Sequence, residues 1–66
     1  MYSLTKQEVC VLKLVAEGFT NKKIAQELSV SVATVKTHLE SIYLKLDAHN
    51  KVQAVVNAVK LNIIEI

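Results

Sequence analysis

The chain has 66 residues, room for one domain and no more. Hydrophobic residues make up 52%, charged residues 21% and aromatics only 5%, so the core must be built from Leu, Val, Ile and Ala. One Gly and no Pro exclude a many-turned β-sandwich as well as a disordered chain, and suit a few helices joined by tight turns. All eight basic residues are Lys, and with six acids the formal net charge is +2. That excess permits nucleic-acid binding without demanding it. A single Cys rules out an internal disulfide framework and fits a reducing compartment. No apolar run reaches the roughly 18 residues of a membrane span. The opening residues, which include Glu8, do not read as a signal peptide. The expected location is the cytoplasm, away from any membrane.

One local device recurs along the chain. An apolar residue precedes a Ser or Thr, and a second apolar residue follows five positions after the first. Leu4-Thr5 with Val9, Phe19-Thr20 with Ile24, and Val30-Ser31 with Val35 all fit. Each reads as a helix N-cap hydroxyl flanked by a hydrophobic staple. Thr5 also has Glu8 three residues on, completing a capping box. Asn50 with Gln53 marks a fourth start, although His49 makes a poor staple.

The first helix is expected over Lys6 to Glu17, stopped by Gly18 in the left-handed region. At 100° per residue, Val9, Val11, Leu12, Val15 and Ala16 share one arc of about 160°, and Cys10 falls on the other side. The second helix is short, Asn21 to Leu28, with Ile24, Ala25 and Leu28 at core spacing. The third runs from Val32 to Leu46, with Val35, Leu39, Ile42 and Leu46 as its core stripe. The fourth runs from Lys51 to Asn62. It carries one apolar stripe of Val52, Val55, Val56, Val59 and Ile63, and another of Ala54, Ala58 and Leu61. Two apolar faces on a small domain point to a second partner, and a two-fold homodimer through this helix is the expectation. The fold class is therefore all-α, a four-helix bundle, and the single domain spans residues 1–66. The short second helix, tight turn and longer third helix spell a helix-turn-helix.

In that motif the third helix enters the DNA major groove. Opposite its core stripe lie Ala33, Thr37, Glu40 and Leu44, flanked by Lys36 and Ser41. Ala33, Thr34 and Thr37 are small or hydroxylated where a solvated helix face would carry Glu, Lys and Gln. Small side chains let a helix approach base edges, and Thr and Lys can contact bases or phosphates. Thr20, Asn21, Lys22 and Lys23 open the second helix, where free N–H groups and the positive helix end suit a phosphate. Lys45 can touch the DNA backbone or act as a C-terminal cation on the helix dipole. Glu40 reads either as a residue that accepts from cytosine N4 or as a solvated carboxylate opposed to phosphate. With Arg absent, Lys36 is the best base reader.

Several of these words resemble the LuxR/GerE-type DNA-binding domain of bacterial transcription regulators. They begin with Leu4-Thr5-x-x-Glu8 and Val11-Leu12-x-Leu14-x-Ala16-x-Gly18. Thr20-Asn21-Lys22-x-Ile24-Ala25 and Thr34-Val35-Lys36-x-His38 are the most specific, and Ile42-x-x-Lys45-Leu46 follows. The resemblance covers about residues 4–60. It implies a tetrahelical fold with the helix-turn-helix at about 21–40. It also implies DNA contacts from Thr20 to Lys22, from Ser31 to His38 and from later third-helix residues, and dimerisation through the fourth helix at about 50–62. Three departures stand out: Gln7 replaces a usual Arg, Cys10 a usual acid, and Asp47 the usual Gly. The last leaves the third helix without its preferred left-handed cap.

The resulting expectation is sequence-specific binding of double-stranded DNA by a regulator's effector domain. Lys36, Thr37, Ala33 and Glu40 would face bases. Thr20, Asn21, Lys22, Ser31, Thr34, His38 and Lys45 would hold phosphates, with Ser41 at the flank. RNA polymerase and an upstream receiver or ligand-binding domain are further candidate partners. A helical protein-interaction module with weakened DNA binding is the competing expectation. A sigma-factor region-four-like domain is a third, but it gives the apolar fourth helix no use. Enzyme chemistry is not expected. Cys10, His38 and His49 lack metal-ligand spacing, one Gly cannot form a phosphate loop, and no cofactor is implied.

Overall fold

The computed structural model describes residues 3–65. Four helices occur among them: α1 (Lys6–Ala16), α2 (Asn21–Leu28), α3 (Val32–Leu46) and α4 (Lys51–Lys60). All four starts follow from capping side chains. Thr5, Thr20, Ser31 and Asn50 each accept from the backbone N–H three residues ahead, satisfying a donor that the first helical turn leaves free. At α1 the capping box is complete, with the Thr5 N–H donating to Glu8 Oε1 at 2.9 Å. At α4 the Gln53 side chain reaches one residue further back, accepting from the His49 N–H at 2.7 Å.

All four helices also end in one way. Gly18, Ser29, Asp47 and Asn62 take positive φ, and each end makes the paired backbone bonds of a Schellman motif. At α1 these are Gly18 N–H to Val15 O and Phe19 N–H to Leu14 O, and at α4 Asn62 N–H to Val59 O and Ile63 N–H to Ala58 O. Asp47 therefore does supply a left-handed cap to α3, at φ 53°, contrary to the expectation from its lack of Gly. Its short side chain tolerates this region better than most. Two C-terminal boundaries move inward for the same reason. The α1 helix stops at Ala16 and α4 at Lys60, and Glu17 and Leu61 become the caps.

Val11, Leu12, Ile24, Val35 and Ile42 are fully buried. Ala25, Leu39, Leu46, Ala48, Ala54, Ala58 and Ile64 complete the core. The third-helix stripe is buried along its whole length, as its spacing requires. Ala16 is exposed because no element covers that end of the expected arc. Leu61 is exposed as well, since its turn points it away from the Ala54/Ala58 face. Both α1 and α3 pack against the other three helices, whereas α2 and α4 do not approach each other. The described residues span 28 × 21 × 20 Å, and no helix among them is long and apolar enough to cross a membrane.

Two polar links fix α3 within this frame. The Lys45 ammonium lies 2.8 Å from Glu8 Oε1, and the Asn57 amide donates to the Leu46 carbonyl at 2.8 Å. The second link satisfies an acceptor that the last turn of α3 leaves unpaired.

Candidate nucleic-acid interface

The exposed face of α3 is set by its buried one. With Val35, Leu39, Ile42 and Leu46 turned inward, Ala33, Lys36, Thr37, Glu40 and Leu44 are exposed. Leu44 is 78% exposed at the far end. Val32, at the first helical position, is also exposed, an apolar group beside the core stripe whose exposure the helical spacing does not reveal.

Several hydroxyls on this unit already have partners. Thr37 Oγ1 donates to the Ala33 carbonyl at 3.1 Å. What Thr37 turns outward is thus its methyl group and its oxygen lone pairs. Ser31 Oγ accepts from the Thr34 N–H at 3.0 Å and lies 2.9 Å from Thr34 Oγ1. Those two residues cap α3 as a joined pair. Thr20 Oγ1 accepts from the Lys23 N–H at 3.2 Å, and Lys22 and Lys23 are exposed beside it. Asn21 is half-buried, and its side-chain oxygen is buried without a hydrogen-bond partner among the described residues. His38 is half-buried.

Lys45 and Ser41 occupy a different position from the rest. Lys45 is 23% exposed, and its ammonium sits on a Glu8 carboxylate that is almost wholly buried. Burial alone would raise the Glu8 pKa. Hydrogen bonds from Lys45, Ser41 and the Thr5 N–H reverse that effect and hold it at about 2, because each favours the charged form. Lys45–Glu8 is the one ion pair among the described residues. Lys36 and Glu40, four positions apart, are accordingly not joined to each other. No local pattern pairs Glu8 with Lys45, which stand 37 positions apart.

On α4 the apolar stripe divides. Val55, Val59 and Ile63 are half-buried against the core. Val52 is 75% and Val56 43% exposed. Val52, Val55 and Val56 form one wall of a groove of about 470 Å³, and Val15 and Phe19 line its other side.

The fold and this face define a helix-turn-helix domain. The chain matches the GerE model, described as bacterial regulatory proteins of the luxR family, over residues 2–58, and it belongs to that family. It is 52% identical over 56 residues to the transcriptional regulatory protein LiaR of Bacillus subtilis, covering 85% of this chain and 26% of LiaR. Against the response regulator protein VraR of Staphylococcus aureus it is 39% identical over 62 residues, covering 94% of this chain and 30% of VraR. Against the HTH-type transcriptional regulator MalT of Vibrio campbellii it is 47% identical over 58 residues, 88% of this chain and 6% of that one. The crystal structure of the response regulator ChrA, from a heme-sensing two-component system, superposes with a TM-score of 0.93. It is 36% identical and covers 97% of this chain and 32% of ChrA. The chain thus spans less than a third of the length of each of these relatives.

Proposed function

We infer that this chain is the sequence-specific DNA-binding effector domain of a bacterial transcription regulator. One observation carries the reading. The α2–α3 unit presents Ala33, Lys36, Thr37 and Glu40 outward on one face of α3, with Lys22 and Lys23 exposed at the start of the adjoining α2. A helix with small side chains at its leading end enters the major groove. Lys22, with the free N–H groups of α2, holds a phosphate at the groove's edge. Thr20, Asn21, Ser31, Thr34 and His38 complete the backbone contacts. Ser41 and Lys45 set the far end of α3 through the Glu8 carboxylate, which neutralises the Lys45 ammonium.

Two copies bind through Val52, Val55, Val56, Val59 and Ile63 on α4. A domain 28 Å in its longest direction suits two recognition helices one DNA turn apart, roughly 34 Å. In the full regulator a receiver or ligand-binding domain is joined to this one, and RNA polymerase is a further partner. The extra length of LiaR and VraR beyond the matched region supports the joined domain. The cytoplasm is the compartment in which this function operates.

A salt titration of binding to promoter DNA tests the reading. Binding is expected to weaken with salt on a log–log slope reflecting several released counterions. Lys36→Ala is expected to weaken binding. A flat slope, or undiminished binding by that variant, overturns the assignment. Stable dimers that ignore DNA at low salt would instead favour a protein-pairing module, the reading favoured by the exposed Val52 and Val56.

A further inference from the structure

The geometry points to Glu40 as a specificity-determining residue that selects a cytosine in the major groove, an inference that rests on the DNA-binding reading above. Glu40 is exposed on the outward face of α3. It is the only acid within α3. The spacing Lys36 to Glu40 is one at which helical side chains commonly pair, yet the two form no ion pair in the structure, where Lys45–Glu8 stands alone among the described residues. Each is free to meet its own group on DNA.

A carboxylate brought up to a polyanion is repelled by every phosphate within about a Debye length, roughly 8–10 Å. The cost is recovered only where a hydrogen-bond donor on a base edge meets it. In the major groove, amino donors occur on cytosine N4 and adenine N6, but adenine places the N7 acceptor beside its donor. In an A·T pair the amino group is flanked by acceptors on both sides, adenine N7 and thymine O4. In a C·G pair it has guanine O6 on one side and the cytosine C5–H on the other, so a carboxylate meets less repulsion there. The chemistry therefore favours cytosine. Lys36 meets guanine O6 and N7 in the complementary way. Four residues of helix rise about 6 Å, close to two base-pair steps. The recognised half-site therefore holds a guanine with a cytosine one or two base pairs away. Glu40 acts by exclusion as well, since sequences without the cytosine retain the repulsion.

Selection of binding sites from randomised duplex DNA, run in parallel with the wild type and with Glu40→Gln and Glu40→Ala, tests this. The exposed position leaves all three folded, which circular dichroism verifies. The wild type is expected to enrich the cytosine, with about tenfold weaker binding when it is replaced. Glu40→Gln is expected to move the preference at that pair toward adenine, because an amide can both donate to N7 and accept from N6. Glu40→Ala is expected to lose the preference while binding unrelated sequence more tightly. If Glu40→Ala tightens binding to every sequence by one common factor and leaves the selected site unchanged, Glu40 is only a repelling charge and the inference is overturned. If the wild type binds no duplex at low salt, the DNA-binding reading itself fails, and the cytosine assignment falls with it.

Discussion

The Lys45 ammonium and the Glu8 carboxylate meet at 2.8 Å, tying the last turn of α3 to the first turn of α1. Glu8 Oε1 also accepts the Thr5 N–H, so one carboxylate closes a helix cap and anchors the recognition helix. Its pKa of about 2, against an ordinary 4.5, makes the charged form the stabilising one. Its contribution is complete above about pH 5 and disappears as the pH falls toward 2. Glu8→Gln is expected to lower stability by about 2 kcal/mol at neutral pH. Urea unfolding at pH 7, 4 and 2 should show the gap between wild type and variant closing on acidification. A gap that stays constant would refute the linkage.

The same pair separates two kinds of lysine. Lys22 and Lys36 are exposed, and replacing either by Ala is expected to reduce the salt slope of DNA binding by about 1. Lys45 is already neutralised by Glu8. Lys45→Met is expected to leave the slope within a few tenths of wild type while lowering the unfolding midpoint. Binding isotherms at four salt concentrations distinguish these outcomes.

The left-handed stops predict a graded stability series. Ser29, Asp47 and Asn62 each hold positive φ with a Cβ present, which costs roughly 1 kcal/mol relative to Gly. Ser29→Gly is expected to raise stability by about 1 kcal/mol, or about 4–8 °C in Tm for a domain of this size. Asp47→Gly and Asn62→Gly should give less, because Asp and Asn tolerate the region better. Gly18→Ala should destabilise by a similar amount. A Cβ at Gly18 would meet nothing within 4 Å, so that loss comes from the backbone alone. Thermal unfolding by circular dichroism measures all four.

The proposed pairing through α4 has its own signature. Val52→Lys and Val56→Lys alter side chains that are 75% and 43% exposed, so monomer stability is expected to change by less than about 0.5 kcal/mol. Sedimentation should show loss of the dimer. Affinity for paired half-sites is expected to fall, while affinity for one half-site stays unchanged.

How much of this could be read from the chain depends on range. Thr5, Thr20, Ser31 and Asn50 marked all four helix starts, since a cap is written within four residues. The ends were harder. Gly18 was legible because Gly advertises positive φ, whereas Asp47 and Asn62 adopt it without advertising it. The pull comes from Ala48 and Ile63, the apolar residues that follow each stop and tuck into or against the core. Ala16 and Leu61 were misplaced because a helical wheel gives a direction but not the presence of a neighbour. The Glu8–Lys45 bridge and the Asn57–Leu46 bond join separate helices, and no periodicity encodes such meetings. On the recognition face, Lys36 and Thr37 stood out by type. That the Thr37 hydroxyl turns back to Ala33 needed coordinates.

The lack of any close approach between α2 and α4 has an evolutionary meaning. Residues that would face DNA and residues that would face a second copy lie largely on different helices and come together around the groove that Thr20 shares with Val52, Val55 and Val56. Substitutions away from that groove should therefore combine additively. A lineage can thus change what this module reads without relearning how it assembles. It can equally be grafted onto a new controlling domain while keeping its old address on the chromosome.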